Sequence, residues 1–194
     1  MGLFSLEHSR AAYRADFALY GAAVVTLASF LVAAGPPGHY WGIATFALLG
    51  LASWTVIEYA LHRFILHGLQ PFQRWHVEHH RRPTALIGAP TILSATLIGA
   101  LVFAPALLLG GPWRAGALTL GVLTGYLAYG ITHHATHHWR ADNAWLKQRK
   151  RWHARHHHSL QPGCYGVTTT LWDHVFRTTA QTPRRPIDPA SRNR

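Results

Sequence analysis

The chain has 194 residues and carries 18 Lys and Arg against 7 Asp and Glu, a formal net charge of +11, although only 13% of its residues are charged and 49% are hydrophobic. One cysteine, Cys164, excludes both a disulfide framework and a thiolate zinc site. A basic excess of this size fits nucleic-acid binding in principle, but here it sits in short stretches beside long uncharged ones, the pattern of loops facing anionic lipid headgroups, so no nucleic-acid partner is expected.

After a polar start over residues 1–16, no Asp, Glu, Lys or Arg occurs from position 17 to 57, from 83 to 113, or from 115 to 139. A membrane-spanning helix needs about 20 apolar residues. Four such spans are predicted, at 17–34, 40–59, 86–109 and 114–131, separated in part by the turn-forming stretches "GPPGHYWG" and "LGGPW". The first span begins after Asp16 and is followed closely by a second of full length, which reads as a retained hairpin rather than a cleaved leader. If the spans alternate, both termini and residues 60–85 share one side, and every Lys and Arg except Arg114 lies there; that side is expected to be the cytoplasm. The predicted fold is therefore an all-α integral membrane protein of one domain, 1–194. It has four transmembrane helices, a cytoplasmic histidine-rich helical cap, and polar cytoplasmic tails at about 1–16 and 180–194, and is expected in a bacterial inner membrane.

The histidines fall at the cytoplasmic ends of these spans and in the segments that follow: "HRFILH", "RWHVEHHRRP", "THHATHH" and "RWHARHHHS". A helix advances about 100° per residue. His76, His79 and His80 then lie within an arc of about 100°, as do His153, His156 and His157, while His133 and His137 are a one-face i, i+4 pair of the kind that holds a metal. His62 and His67 are i, i+5, about 140° apart on an ideal α-helix, and need a helix end between them or two different metals. A tag would be contiguous and terminal; ten histidines in two HxxHH triplets, one HxxxH and one HxxxxH point to a structured centre. His134, His138 and His158 are excluded from it, and His8, His39 and His174 read as interfacial or hydrogen-bonded residues. Ten inward imidazoles exceed the three or four ligands of a single zinc, so two metals are implied, with iron preferred for oxygen chemistry and zinc able to occupy the same ligands.

From "IEYALHRFILH" through "HVEHH" and "GYLAYGITHHATHH" to "WHARHHHSLQPGCYGVTTTLWDHVF" the chain resembles the fatty acid hydroxylase and sterol desaturase superfamily of membrane di-iron oxygenases. The tail "YGVTTTLWD" is most similar to the fatty acid 2-hydroxylases. The resemblance implies His62, His67, His76, His79, His80, His133, His137, His153, His156 and His157 as ligands of two iron ions, in agreement with the spacing. It implies insertion of oxygen from O2 into a lipid acyl chain, at C2 in the narrower reading, with electrons from a separate transfer protein steered by the basic face. Two departures stand out. Gly130 follows Tyr129 where the family often has an acidic residue, and an external electron donor is expected where many relatives have a fused haem domain.

The substrate pocket is expected beneath the helices, lined by residues such as Trp54, Phe64, Tyr129 and Trp172. Glu58, a carboxylate at the end of an apolar span, is expected to pair with a ligand histidine or with Arg63. Together with Tyr129, Trp172 and Asp173 it is a candidate to support the ligands or touch substrate. Two other readings remain: an oxygenase of the same superfamily acting on a carotenoid or sterol-like ring or as a desaturase, and a zinc-transporting or metal-storing membrane protein. Against the last, the spans lack midplane polar ligands.

Overall fold

Ser9 stands in extended conformation and accepts the Ala12 amide at 3.2 Å, and this cap starts helix α1, Arg10–Ala34. The computed structural model describes residues 7–159 and 161–179. The helix begins ahead of the apolar pattern, so part of the expected polar tail over 1–16 is its first turns; the tail expected at 180–194 lies outside the described residues. Gly35 and two prolines end α1, Gly38 turns the chain at φ +81°, and α2 follows over Tyr40–Ala60. Its winding then changes to a π-helical turn, Leu61–Leu66.

A short helix α3, Phe72–Arg81, and a loop lead to α4, Thr91–Ile98, a second π turn at Gly99–Phe103, and α5, Ala104–His138. Asn143 accepts the Leu146 amide at 2.8 Å and caps α6, Ala144–His158; α7, Leu171–Val175, closes the described chain. All named elements among the described residues are helical. Only an isolated bridge, Glu7 to Ile87, has strand character.

Among the described residues, three helical runs are long and apolar enough to cross a membrane: Arg10–Ala34, Tyr40–Leu66 and Thr91–His138. Their outer surfaces expose Val25, Val32, Leu48, Leu101, Leu108 and Leu109, as a lipid-facing surface does. Four separate spans were expected, and the difference lies in the third run. Its 48 residues would reach about 72 Å if straight, more than twice a hydrocarbon core, but Gly111 inside it is non-helical, at φ 75° and ψ 176°. The helical runs on either side of "LGGPW" are thus nearly continuous along the chain while the backbone direction breaks at one glycine. Tyr20 links their far parts: its hydroxyl lies 2.7 Å from Ser94 Oγ, and its ring packs edge-on against Tyr126 at 4.8 Å.

α2 and α5 form the closest seam, because glycines let the two backbones meet. A Cβ on Gly50 would stand 2.1 Å from the Leu118 carbonyl, one on Gly121 2.0 Å from the Ala47 carbonyl, and one on Gly125 2.4 Å from Trp54. The obstacles at Gly50 and Gly121 are backbone atoms that no rotamer change can move. Gly121→Val should therefore force the helices apart and cost at least about 1–3 kcal/mol, read as a lower unfolding temperature in detergent. Gly42→Ala, which meets nothing within 4 Å, should leave that temperature unchanged.

Candidate metal centre

The π turn resolves the awkward i, i+5 spacing. A π-helix closes its hydrogen bonds from i to i+5, so residues five apart stand near each other where α-helical winding would separate them. The helix also ends at Leu66, with His67 as its cap residue. His62 and His67 consequently belong to one group, with ring centroids 5.4 Å apart, and two different metals are not needed to explain them.

Two groups of imidazoles form beneath α2 and α5. His62, His67, His76 and His156 each offer a ring nitrogen within 4.8 Å of the others, and so do His79, His133, His137 and His153. His80 joins the first group, its Nε2 lying 3.0 Å from Nε2 of both His76 and His156. His157 joins the second, its Nε2 being 3.0 Å from that of His153. All ten sequence-predicted residues come together, five to a group, and the stacked rings of His80 and His157, 4.2 Å apart, join the groups. Each HxxHH triplet divides between them: His76 and His80 face one way and His79 the other, while His156 faces the first group and His153 and His157 the second.

The nitrogen spacing fits a common ion. In the first group Nε2 atoms approach at 3.0 Å for His62 and His76, 3.2 Å for His67 and His156, and 3.4 Å for His76 and His156. In the second, His137 and His153 approach at 2.8 Å. Nitrogens about 2.1 Å from one metal stand about 3.0 Å apart at right angles and about 3.4 Å apart at the tetrahedral angle. Hydrogen bonding alone cannot account for such convergence. The Nδ1 atoms of His62 and His156 meet the carbonyls of Tyr165 and Gly163 at 2.5 and 2.9 Å. A carbonyl only accepts, so each Nδ1 carries the ring proton and each Nε2 points into its group as a bare lone pair. His79 is buried with neither ring nitrogen partnered among the described residues, as a ligand awaiting an ion would be.

Burial, followed by neighbouring imidazoles, holds these rings neutral. It takes His79 to about 3 and His80 to about 4, and pushes His76, His153 and His156 well below the usual histidine range. Metal ligation requires that neutral form. His134, His138 and His158 stay outside both groups, as expected: His134 meets the Tyr13 hydroxyl at 3.3 Å and stacks on His138. His39 and His174 lie near backbone carbonyls away from the centre, whereas His8, near the Gly88 carbonyl, is on the wall of the apolar cavity that meets His76, His79 and His133.

Glu58 departs from expectation. It bonds neither a ligand histidine nor Arg63. Its Oε1 accepts the amides of Val167 and Thr168 at 2.6 and 2.9 Å, and its Oε2 the Thr168 hydroxyl at 2.5 Å; Arg63 instead donates to the Tyr59 hydroxyl. Asp173, fully buried, accepts the amides of Tyr165 and Gly166 at 2.9 and 2.8 Å. Trp172 donates to Thr55 at 3.0 Å and ties α7 to α2, away from the centre.

An apolar cavity of about 180 Å³ opens against His76, His79 and His133. Of the aromatics expected to line it, only Tyr129 does, its ring stacked on His133. Trp54 lies behind it against Tyr126, Phe64 is exposed under Arg63, and Trp172 is elsewhere. The walls missed from the sequence are Tyr13, Phe17, Tyr20, Phe72, Trp75 and Tyr126. Several come from α1, whose histidine-free sequence has no motif to mark it. Gly130 also lines the cavity, and a Cβ there would meet Phe17 at 3.3 Å, so an acidic side chain at this position would have Phe17 in its way. Tyr13, Phe17 and Leu127 are shared with a larger groove of about 650 Å³ bordered by Arg10 and Arg14.

Comparison with known proteins bears on this arrangement. The sequence profile described as fatty acid hydroxylase matches residues 47–178, which hold all ten histidines. A dihydroceramide fatty acyl 2-hydroxylase of Arabidopsis thaliana is 35% identical over 147 residues, covering 70% of this chain and 61% of its own length. The ceramide very long chain fatty acid hydroxylase of Schizosaccharomyces pombe is 35% identical over 147 residues, 69% of this chain and 42% of its own. The fatty acid 2-hydroxylase of Homo sapiens is 30% identical over 151 residues, 72% and 40%. The chain thus spans roughly two to three fifths of these relatives. A solved structure, full-length scs7p with only the hydroxylase domain visible, shares the fold at TM-score 0.67 and 24% identity, over 87% of this chain and 66% of that one. With the profile running from the glycine seam through both histidine groups to the carboxylate-bound loop, the chain belongs to the fatty acid hydroxylase family.

Proposed function

We propose that the protein is a membrane lipid hydroxylase that places one oxygen atom of O2 on an acyl chain, at C2, and that its ten grouped histidines hold two iron ions. The observation that carries this reading is that two five-imidazole groups stand side by side and open on an apolar cavity reached by His76, His79 and His133. The names of the relatives support the acyl-chain substrate and the C2 position. Five nitrogens at one position leave a six-coordinate ion one open place, which suits oxygen chemistry and iron better than a closed four-coordinate zinc site. Zinc would still bind the same nitrogens in a purified sample.

The bound metals supply the activation of O2 and the oxidation of an unactivated C–H bond. The overall balance is one C–H, O2, two electrons and two protons giving C–OH and water. The chain's own part is orientation and exclusion of water. Tyr129, Phe17 and Tyr126 wall the cavity, and the groove beyond Leu127 admits an acyl chain from the bilayer, with Arg10 and Arg14 at its border for the polar end. Electrons come from a separate protein, and exposed Lys147, Arg151 and Arg155 on α6 would attract an acidic one. A ring-hydroxylating or desaturating oxygenase gains no support from the relatives, and a metal carrier would leave the apolar cavity unexplained.

We further propose that the long third run folds back at Gly111 and crosses twice, giving four crossings with the histidine groups and the N-terminal end of α1 in the cytoplasm. The Tyr20 link between Ser94 and Tyr126 supports the fold-back, and the basic loops support the orientation. A cysteine placed at Gly38 should react with an impermeant maleimide from the outer face only, because native Cys164 is buried; labelling from the cytoplasm would reverse the topology. Metal analysis should find two ions per chain. His137→Ala should lose one of them and hydroxylation, and His39→Ala, exposed at the start of α2, neither; one ion or none in active protein would sink the paired centre. Reconstituted with ferrous iron, an electron donor, lipid and 18O2, the protein should yield product with one heavy atom at C2. Label arriving only from water would falsify the oxygenase reading, and label at another carbon the narrower one.

A further inference from the structure

We infer that Glu58 and Asp173 are positioning residues for one of the two metal positions and not for the other, acting through the backbone of residues 163–168. The inference rests on the two-metal reading above. It begins from two carboxylates that are almost wholly buried, Glu58 3% and Asp173 0% exposed, where an ionised group survives only with its oxygens well hydrogen-bonded.

Their partners are four successive backbone amides. Tyr165 and Gly166 donate to Asp173, and Val167 and Thr168 to Glu58. Thr178 and Trp152 add side-chain donors to Asp173, at 2.8 and 3.3 Å. The loop cannot be built otherwise without loss. Cys164 is held in the left-handed region at φ 56°, which costs a non-glycine residue strain, and its amide is tied to the Thr178 carbonyl at 2.8 Å. A Cβ on Gly166 would stand 1.9 Å from the Thr169 carbonyl. With its amides turned to the carboxylates, the loop presents the carbonyls of Gly163 and Tyr165 to His156 and His62.

Both of those histidines belong to the first group. In the second, Nδ1 of His79, His153 and His157 is buried and finds no partner among the described residues. A carbonyl on Nδ1 fixes both the tautomer and the ring plane of a ligand, so the first position is preorganised by the loop and the second is not. The stretch "YGVTTTLWD" and the two residues before it thereby acquire a physical role, the amides taking up two carboxylates so that the loop carbonyls can aim two imidazoles.

The test is metal release from the full chain in detergent, loaded with zinc and challenged with a chromogenic chelator. Wild type should release two equivalents. Glu58→Gln and Asp173→Asn should speed the release of one about 10–100-fold, the usual cost of losing a group that orients a ligand, and leave the other unchanged. In a His67→Ala background, where the first position is already disabled, Glu58→Gln should change nothing; in His137→Ala the acceleration should persist in full. Thr168→Val removes only the hydroxyl that Glu58 accepts and should act in the same direction more weakly, which keeps the test open if Glu58→Gln does not fold. Equal acceleration of both equivalents, acceleration in the His67→Ala background, or unchanged release in every variant would overturn the inference. Fewer than two equivalents in wild type would remove the two-metal reading itself, and this inference with it, before any variant is compared.

Discussion

Ten imidazoles brought into one layer cannot all carry charge, and the rest of the structure answers to that constraint. Each neutral ring has one N–H and one lone pair, so a cluster whose lone pairs converge must send its N–H groups outward to acceptors or leave them bare. For His62 and His156 the acceptors are loop carbonyls, and for several rings of the second group there is none among the described residues. Burial lowers the basicity of the cap histidines His76, His153 and His156, and neighbouring imidazoles lower it further. The layer is therefore prepared for a cation that the imidazoles themselves must not become.

The helices above serve the same end. α2 and its π turn carry Glu58, His62 and His67, and α5 carries His133 and His137, so the distance between those two helices sets how far apart the two groups stand. Gly50, Gly121 and Gly125 hold that distance at backbone contact. In lipid no hydrophobic force drives the helices together, and close approach at small residues supplies the packing instead. A seam that looks like membrane architecture is thus also part of the centre's geometry.

The two histidine groups were largely legible in the sequence because their residues obey short periods. HxxxH and the HxxHH triplets place rings on one face of any α-helix, and the structure brings those residues together. The i, i+5 pair was less clear, since nothing in "LHRFIL" announces π winding; only its misfit with α-helical spacing did. Glu58 was noticed for the cost of its burial, yet its partners lie 109 and 110 residues away in a loop, a pairing no local pattern encodes. The cavity walls were the weakest expectation. Aromatic residues beside a membrane serve as anchors, packing and pocket alike, and only the tertiary arrangement separates Tyr129 from Phe64 and Trp172. Gly111 was recognised as turn chemistry, but helical winding resumes so closely on both sides that the described structure has one long run there.

The division of the triplets has a consequence that neither the membrane helices nor the loop could produce. α2 and its π turn serve only the first group and α5 only the second, whereas α3 and α6 each contribute to both, in opposite sense: two rings of α3 and one of α6 to the first, one of α3 and two of α6 to the second. A shift of either cap helix must therefore disturb both groups at once, and neither group can be completed without both cap helices in place. The Gly163 carbonyl meets the His156 ring and not the α6 backbone, so it fixes the plane of one imidazole, while His153 and His157 on the same helix keep buried Nδ1 atoms that meet no loop carbonyl.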